Sequence, residues 1–132
     1  DGTIELSTAA EAHEFVSKTD VDALAISIGT VHGFYKKAPM LDIERAREIG
    51  EKVDVPLVLH GGTGVPEDQL RLAIDNGVAK INIATELQSL FLKRVAAEIA
   101  ACGDTFKPID LCFKPVEADV QAYVRAKIQS LM

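Results

Sequence analysis

Apolar positions along the chain fall into two patterns. Solid blocks occur at Ala23–Ile28 (ALAISI), Val55–Leu59 (VPLVL) and Ala79–Ala84 (AKINIA). Between and around them, apolar residues recur every three or four positions. These sets are Ala12, Phe15 and Val16; Ile43, Ala46, Ile49 and Val53; Leu70, Ala73 and Ile74; Leu87, Leu90, Phe91, Val95 and Ile99; and Val116, Val120, Val124, Ile128 and Leu131. The blocks predict buried strands and the spaced sets predict amphipathic helices. Boundary signals agree. Thr8-x-x-Glu11 forms a capping-box pattern for a helix over about 9–18, and Asp42 can cap the second helix. Pro66 opens a third that stops at Gly77, Thr85-x-x-Gln88 is a second capping box, and Pro115 opens the last helix. The order αβαβαβα plus a tail helix predicts an α/β fold with a parallel sheet, adjacent strands following sequence order. No linker composition divides residues 1–132, which read as a single domain. A TIM (β/α)8 barrel needs eight strands and about 250 residues, so three strands suggest part of one.

Composition narrows the partners. The chain has 132 residues, 48% of them hydrophobic, and a net charge of −6. Nucleic acid and anionic membranes attract positive surfaces, so neither is expected as a bulk partner. No apolar run approaches the roughly 18 residues of a membrane span. Cys102 and Cys112 fit neither a disulfide framework nor a Cys-x-x-Cys metal motif, and two reduced thiols in a cytoplasmic protein are expected.

Polar residues gather where the strands end. His32 follows the first strand, His60 ends the second, and Asn82 and Thr85 close the third. In a parallel sheet those ends share one side. His32 and His60 are each followed by glycine and lie 28 residues apart, about one βα unit. Neighbouring parallel strands are about 4.8 Å apart, so the two imidazoles can share a metal ion; they can equally be two unrelated histidines at loop starts. His13, on the first helix, reads as a surface residue. Gly61, Gly62 and Gly64 let backbone N–H groups approach an anion, Thr63 adds a hydroxyl, and Asn82 and Thr85 stand at the next helix N-terminus. The plainer alternative is turn glycines and a helix cap. Lys36 can close over a phosphate, whereas Lys37 reads as solvent-exposed. Tyr35 is either packed or ligand-facing.

"IGTVHGFYKKAP", "VPLVLHGGTG" and "KINIATEL" together resemble the class II, zinc-dependent ketose-bisphosphate aldolases. The resemblance runs through nearly the whole chain and is strongest from Ala23 to Leu87. It implies the C-terminal half of such an enzyme: strands six to eight of a TIM barrel with their helices and a C-terminal helix. The family reversibly cleaves a ketose 1,6-bisphosphate to dihydroxyacetone phosphate and glyceraldehyde 3-phosphate. Zinc polarises the ketone and stabilises the enediolate. By this resemblance His32 and His60 are zinc ligands and Asn82 is catalytic, hydrogen-bonding the enediolate region. Gly33, Lys36, Gly61, Gly62, Thr63, Asn82, Ile83, Ala84 and Thr85 match the substrate site. The carbonyls of Val31, Gly33 and Gly61 match a monovalent-cation (sodium or potassium) site of some members. Ala84 stands where many fructose-specific members carry an acidic or amide residue, so "NIATEL" points toward tagatose bisphosphate. The family's Asp-His motif, which supplies the proton-transferring aspartate and a third zinc histidine, is absent. The chain is therefore expected to be an inactive fragment whose partners are a phosphorylated sugar, the missing N-terminal half and further copies of itself. The alternative is a non-catalytic α/β phosphate-binding module.

Overall fold

The computed structural model of the chain describes residues 5–132. It divides into two compact units at the Ala84/Thr85 junction. That junction is a strand-to-helix joint without glycine or proline, so nothing in its composition marks a boundary.

The first unit holds α1 (Ala9–Thr19), β1 (Leu24–Ile26), α2 (Ile43–Gly50), β2 (Leu57–Leu59), α3 (Glu67–Asp75) and β3 (Val78–Ile81). The strands form one parallel sheet in the order β1-β2-β3, as the alternation of blocks and spaced sets predicts. Leu24 pairs with Leu57 and Ile26 with Leu59. Leu57 pairs with Val78 and Leu59 with Ile81, with a bulge between Leu57 and Val58. The strands are shorter than the apolar blocks: the last residues of the first and third blocks leave the ladder for the loops that follow, whereas in the second Val55 and Pro56 precede the strand and Leu59 ends it.

Helix starts follow local chemistry. Thr8 and Glu11 form the full capping box, each side chain bonded to the other's backbone N–H. Asp42 accepts from the Arg45 N–H at 3.1 Å and from Arg45 Nε at 2.9 Å. These bonds, the backbone one foremost, hold the Asp42 carboxyl below the usual carboxylate range. Ala46, Ile49, Leu57, Leu59, Leu70, Ala73 and Val78 fill the core between helices and sheet. Ile74, expected inside, is 36% exposed; it lies one residue before the end of α3, whose buried residues are Leu70 and Ala73. Phe15 is likewise exposed on α1.

The second unit is a pair of helices, α4 (Thr85–Cys102) and α5 (Ile109–Leu131). Two boundaries differ from expectation. Thr85 is the first residue of α4 itself, not a cap ahead of it. α5 starts at Ile109 behind Pro108, so Pro115 lies within the helix. A proline there removes one backbone bond, which costs stability but does not end a helix already begun. The apolar stripes are also only partly covered: Phe91, Ile99, Val124 and Ile128 are exposed and Val116 is buried. Two helices alone shield only one strip of each other, so a wide apolar stripe leaves its flanks uncovered. No helix among the described residues is long and apolar enough to cross a membrane.

Candidate active site

The loops leaving β1 and β2, and the end of β3, meet on one side of the sheet. Hydrogen bonds carry the β2–β3 ladder past its formal end. Asn82 N–H donates to the Leu59 carbonyl at 2.8 Å, and Gly62 N–H donates to the Asn82 carbonyl at 3.0 Å. His60 lies inside this clamp, one residue beyond β2. Its glycine neighbours are dictated by crowding. Gly61 has φ +68°, and a Cβ there would stand 2.5 Å from the Val31 carbonyl oxygen. A Cβ on Gly62 would stand 2.7 Å from Ile81 Cγ2 and 3.1 Å from Ile83 Cγ1. The glycines thus let the β2 loop pass between its two neighbours.

His32 and His60 come together. Their ring centres are 5.7 Å apart and the planes meet at 74°. Two imidazoles on one tetrahedral zinc, with Zn–N about 2.05 Å, have ring centres roughly 5 Å apart. The pair therefore fits as two donors to a single ion. Among the described residues no group of three or more His, Cys, Asp or Glu side chains is placed to hold a metal. Two histidines are fewer than the three protein donors that a catalytic zinc ordinarily takes.

Asn82 adjoins the pair. Its Nδ2 lies 3.3 Å from His60 Nε2, and its Oδ1 accepts from the Lys80 ammonium. Lys80 thereby fixes which way the amide points. It was not among the residues expected in the site. The signal was present, because Lys80 and Asn82 are two apart on a strand and share a face.

Tyr35 resolves the alternative left open by the sequence: it is packed. Its hydroxyl accepts from Val31 N–H at 2.8 Å and lies 2.9 Å from both the Val31 and Gly61 carbonyl oxygens. Those are two of the three carbonyls assigned by resemblance to a monovalent cation. A hydroxyl proton already serves them, so a cation at that point would have to displace Tyr35.

The remaining positions expected in a substrate site differ in availability. Thr63 is buried, at 2% exposure, and is the one buried polar residue among those described. The Gly62 N–H is already committed to Asn82. Gly33 has φ +105° with open space around it. Lys36 is exposed in the β1 loop, Ile83 is half-buried, and Ala84 is exposed. Thr85 opens α4, in the second unit.

Comparison with known proteins decides the family. The model of the family "Fructose-bisphosphate aldolase class-II" matches residues 1–132. The chain belongs to that family. Among solved structures it is similar to the YdjI aldolase of Escherichia coli K12, with 33% identity and a TM-score of 0.80 over 96% of this chain and 46% of that one. It is similar also to a candidate fructose-1,6-bisphosphate aldolase from Coccidioides immitis, with 31% identity and a TM-score of 0.83, covering 96% of this chain and 43% of that one. A Campylobacter jejuni fructose-bisphosphate aldolase shares the fold, with a TM-score of 0.68 at 20% identity, again over 96% of this chain and 45% of that one. The class II aldolase chain therefore spans less than half the length of the structures it matches. Its three-stranded parallel sheet corresponds to part of their fold, consistent with a partial TIM barrel.

Proposed function

We propose that this class II aldolase chain carries part of the metal site and part of the phosphate site of an enzyme that cleaves a ketose 1,6-bisphosphate to dihydroxyacetone phosphate and glyceraldehyde 3-phosphate. The observation that carries the reading is the convergence of His32, His60 and Asn82 on one side of the sheet. His32 and His60 would hold zinc. When bound, zinc acts as a Lewis acid on the substrate carbonyl and favours negative charge on its oxygen.

The chain's own residues supply the rest of the argument. Asn82 brings its amide N–H donors beside His60, where the proposed reaction develops negative charge. The Lys80 ammonium on its Oδ1 keeps the amide in that orientation and polarises it, which strengthens the donors. The glycine loop lies next to this group. Gly61, Thr63 and the Asn82–Ala84 segment are the phosphate-facing set, with Gly33 and Lys36 from the β1 loop. Holding the phosphate fixes the reacting carbons relative to Asn82. Ala84 leaves space where many fructose-specific members place a larger polar side chain, which favours tagatose bisphosphate. A monovalent cation at the Val31 and Gly61 carbonyls requires Tyr35 to move aside.

The test joins the chain to the remainder of a class II aldolase barrel, which brings the proton-transferring aspartate and the third histidine. Zinc-dependent cleavage of tagatose 1,6-bisphosphate, faster than that of the fructose isomer and lost in His60→Ala, is expected. Full zinc content and normal cleavage in His60→Ala would refute the assignment. An assembled barrel that binds inorganic phosphate but cleaves neither sugar would favour a phosphate-binding module.

A further inference from the structure

In the second unit the two cysteines of the chain meet. Cys102 is the last residue of α4 and Cys112 lies in the first turn and a half of α5. Their sulfurs are 3.2 Å apart, both half-buried and both free thiols. The connection between them is pinned rather than loose. Gly103 turns at φ +53°, Thr105 N–H donates to the Cys102 carbonyl at 3.0 Å, and Cys112 N–H donates to the Pro108 carbonyl at 3.0 Å. Lys107, in the same connection, pairs with Glu98 of α4 at 3.6 Å.

We propose that Cys102 and Cys112 form a reversible dithiol–disulfide couple that staples the α4–α5 hairpin when the protein meets hydrogen peroxide. A disulfide needs its sulfurs at about 2.05 Å, a closure of roughly 1.2 Å that side-chain rotation can supply within a turn already formed. The reaction balances without any other reagent. One cysteine, as its thiolate, attacks peroxide, becomes a sulfenic acid and releases hydroxide, which takes up the thiol proton as water. The second sulfur attacks the sulfenyl sulfur, the S–S bond forms, and its proton leaves with the departing hydroxide as a second water. Two electrons pass from the sulfurs to peroxide. The shared S–H···S contact, and then burial, push the Cys112 thiol up, while the Lys107 ammonium acts in the opposite sense. Half-buried sulfurs remain open to a molecule the size of peroxide.

The experiment uses the 132-residue chain itself. It is treated with one equivalent of hydrogen peroxide, remaining thiols are blocked with N-ethylmaleimide, and intact mass and digest peptides are measured. The expected product has lost about 2 Da, carries no maleimide, and yields one peptide pair joined through Cys102 and Cys112 of a single chain. Dithiothreitol restores both thiols. Closing a loop of about ten residues should also raise the melting temperature by several degrees. Cys112→Ser should leave a sulfenic acid on Cys102 that dimedone traps. Two maleimides per chain after oxidation, disulfides between chains as the main product, or an unchanged or lower melting temperature in the crosslinked form would each overturn the proposal. The wild-type mass measurement needs no variant to fold.

Discussion

The imidazole of His32 meets that of His60 edge to face, with ring centres 5.7 Å apart. His60 follows β2 directly, whereas His32 lies in the loop six residues beyond β1, so the pairing depends on how that loop returns over the sheet as well as on the β1–β2 register. Asn82, from the third strand end, brings Nδ2 to 3.3 Å from His60 Nε2. Three consecutive βα units thus each contribute one polar group to one place.

Asn82 and the histidines should separate experimentally. In the assembled barrel, Asn82→Ala should lower kcat by about 10²–10³, the usual loss for one donor to developing negative charge, and leave zinc content intact. Lys80→Met should lower kcat less, because it disturbs only the orientation of the Asn82 amide. Steady-state kinetics together with metal analysis check both. Loss of zinc in Asn82→Ala would contradict the division of roles.

Gly61 is expected to be intolerant of any side chain. Gly61→Ala places a Cβ 2.5 Å from the Val31 carbonyl at a left-handed φ of +68°. The backbone conformation alone costs about 1–3 kcal/mol, and the clash adds to it. Thermal unfolding should show a clear drop in melting temperature. Gly33→Ala should be milder, since its φ is positive but its surroundings are open.

Asp42 gives a pH-dependent test. Its folded-state carboxyl titrates below the usual value through bonds from Arg45. A depressed folded pKa contributes stability that is present above the unfolded value, about 3.9, and is lost as pH falls through the folded one. Asp42→Ala should therefore cost about 0.5–2 kcal/mol near neutral pH, typical of a lost helix cap. The gap from wild type should narrow below about pH 4. Urea unfolding at pH 7 and pH 3 measures both values, and an equal gap at the two would contradict the account.

Tyr35→Phe removes the hydroxyl from the Val31 and Gly61 carbonyls. Each loss of a partly buried hydrogen bond costs about 0.5–1.5 kcal/mol. The variant should unfold at lower temperature in cation-free buffer and recover more than wild type when potassium is added, because the freed carbonyls can then meet the ion. Melting temperatures with and without potassium chloride decide this, and identical salt responses would argue against competition for one position.

The order of elements and the parallel sheet were legible because apolar blocks and spaced apolar sets alternate cleanly. The helix starts at Thr8 and Asp42 were legible because a single side chain closes each cap. Pro115 misled for a physical reason: proline is favoured in a first turn, yet the helix had already begun behind Pro108. The stripes on α4 and α5 predicted burial that a helix pair cannot supply, so Phe91 and Ile128 stand exposed. In the site, the histidines and the glycine loop were legible from their place after the strands. The reason for the glycines was only half legible. Crowding against Val31, Ile81 and Ile83 is a matter of packing between strands, and spacing does not reveal it. The contact between Cys102 and Cys112 likewise depends on how the hairpin closes.

The central claim is that His32 and His60 are donors to one metal ion, and zinc titration tests it most directly. The chain and its His32→Ala and His60→Ala variants would compete with a chromophoric chelator for zinc, with circular dichroism confirming that each is folded. The account predicts one zinc per wild-type chain. It also predicts a loss of affinity in each variant beyond the 10–100-fold typical of residues one step removed from a metal. Wild-type affinity in either variant would contradict it.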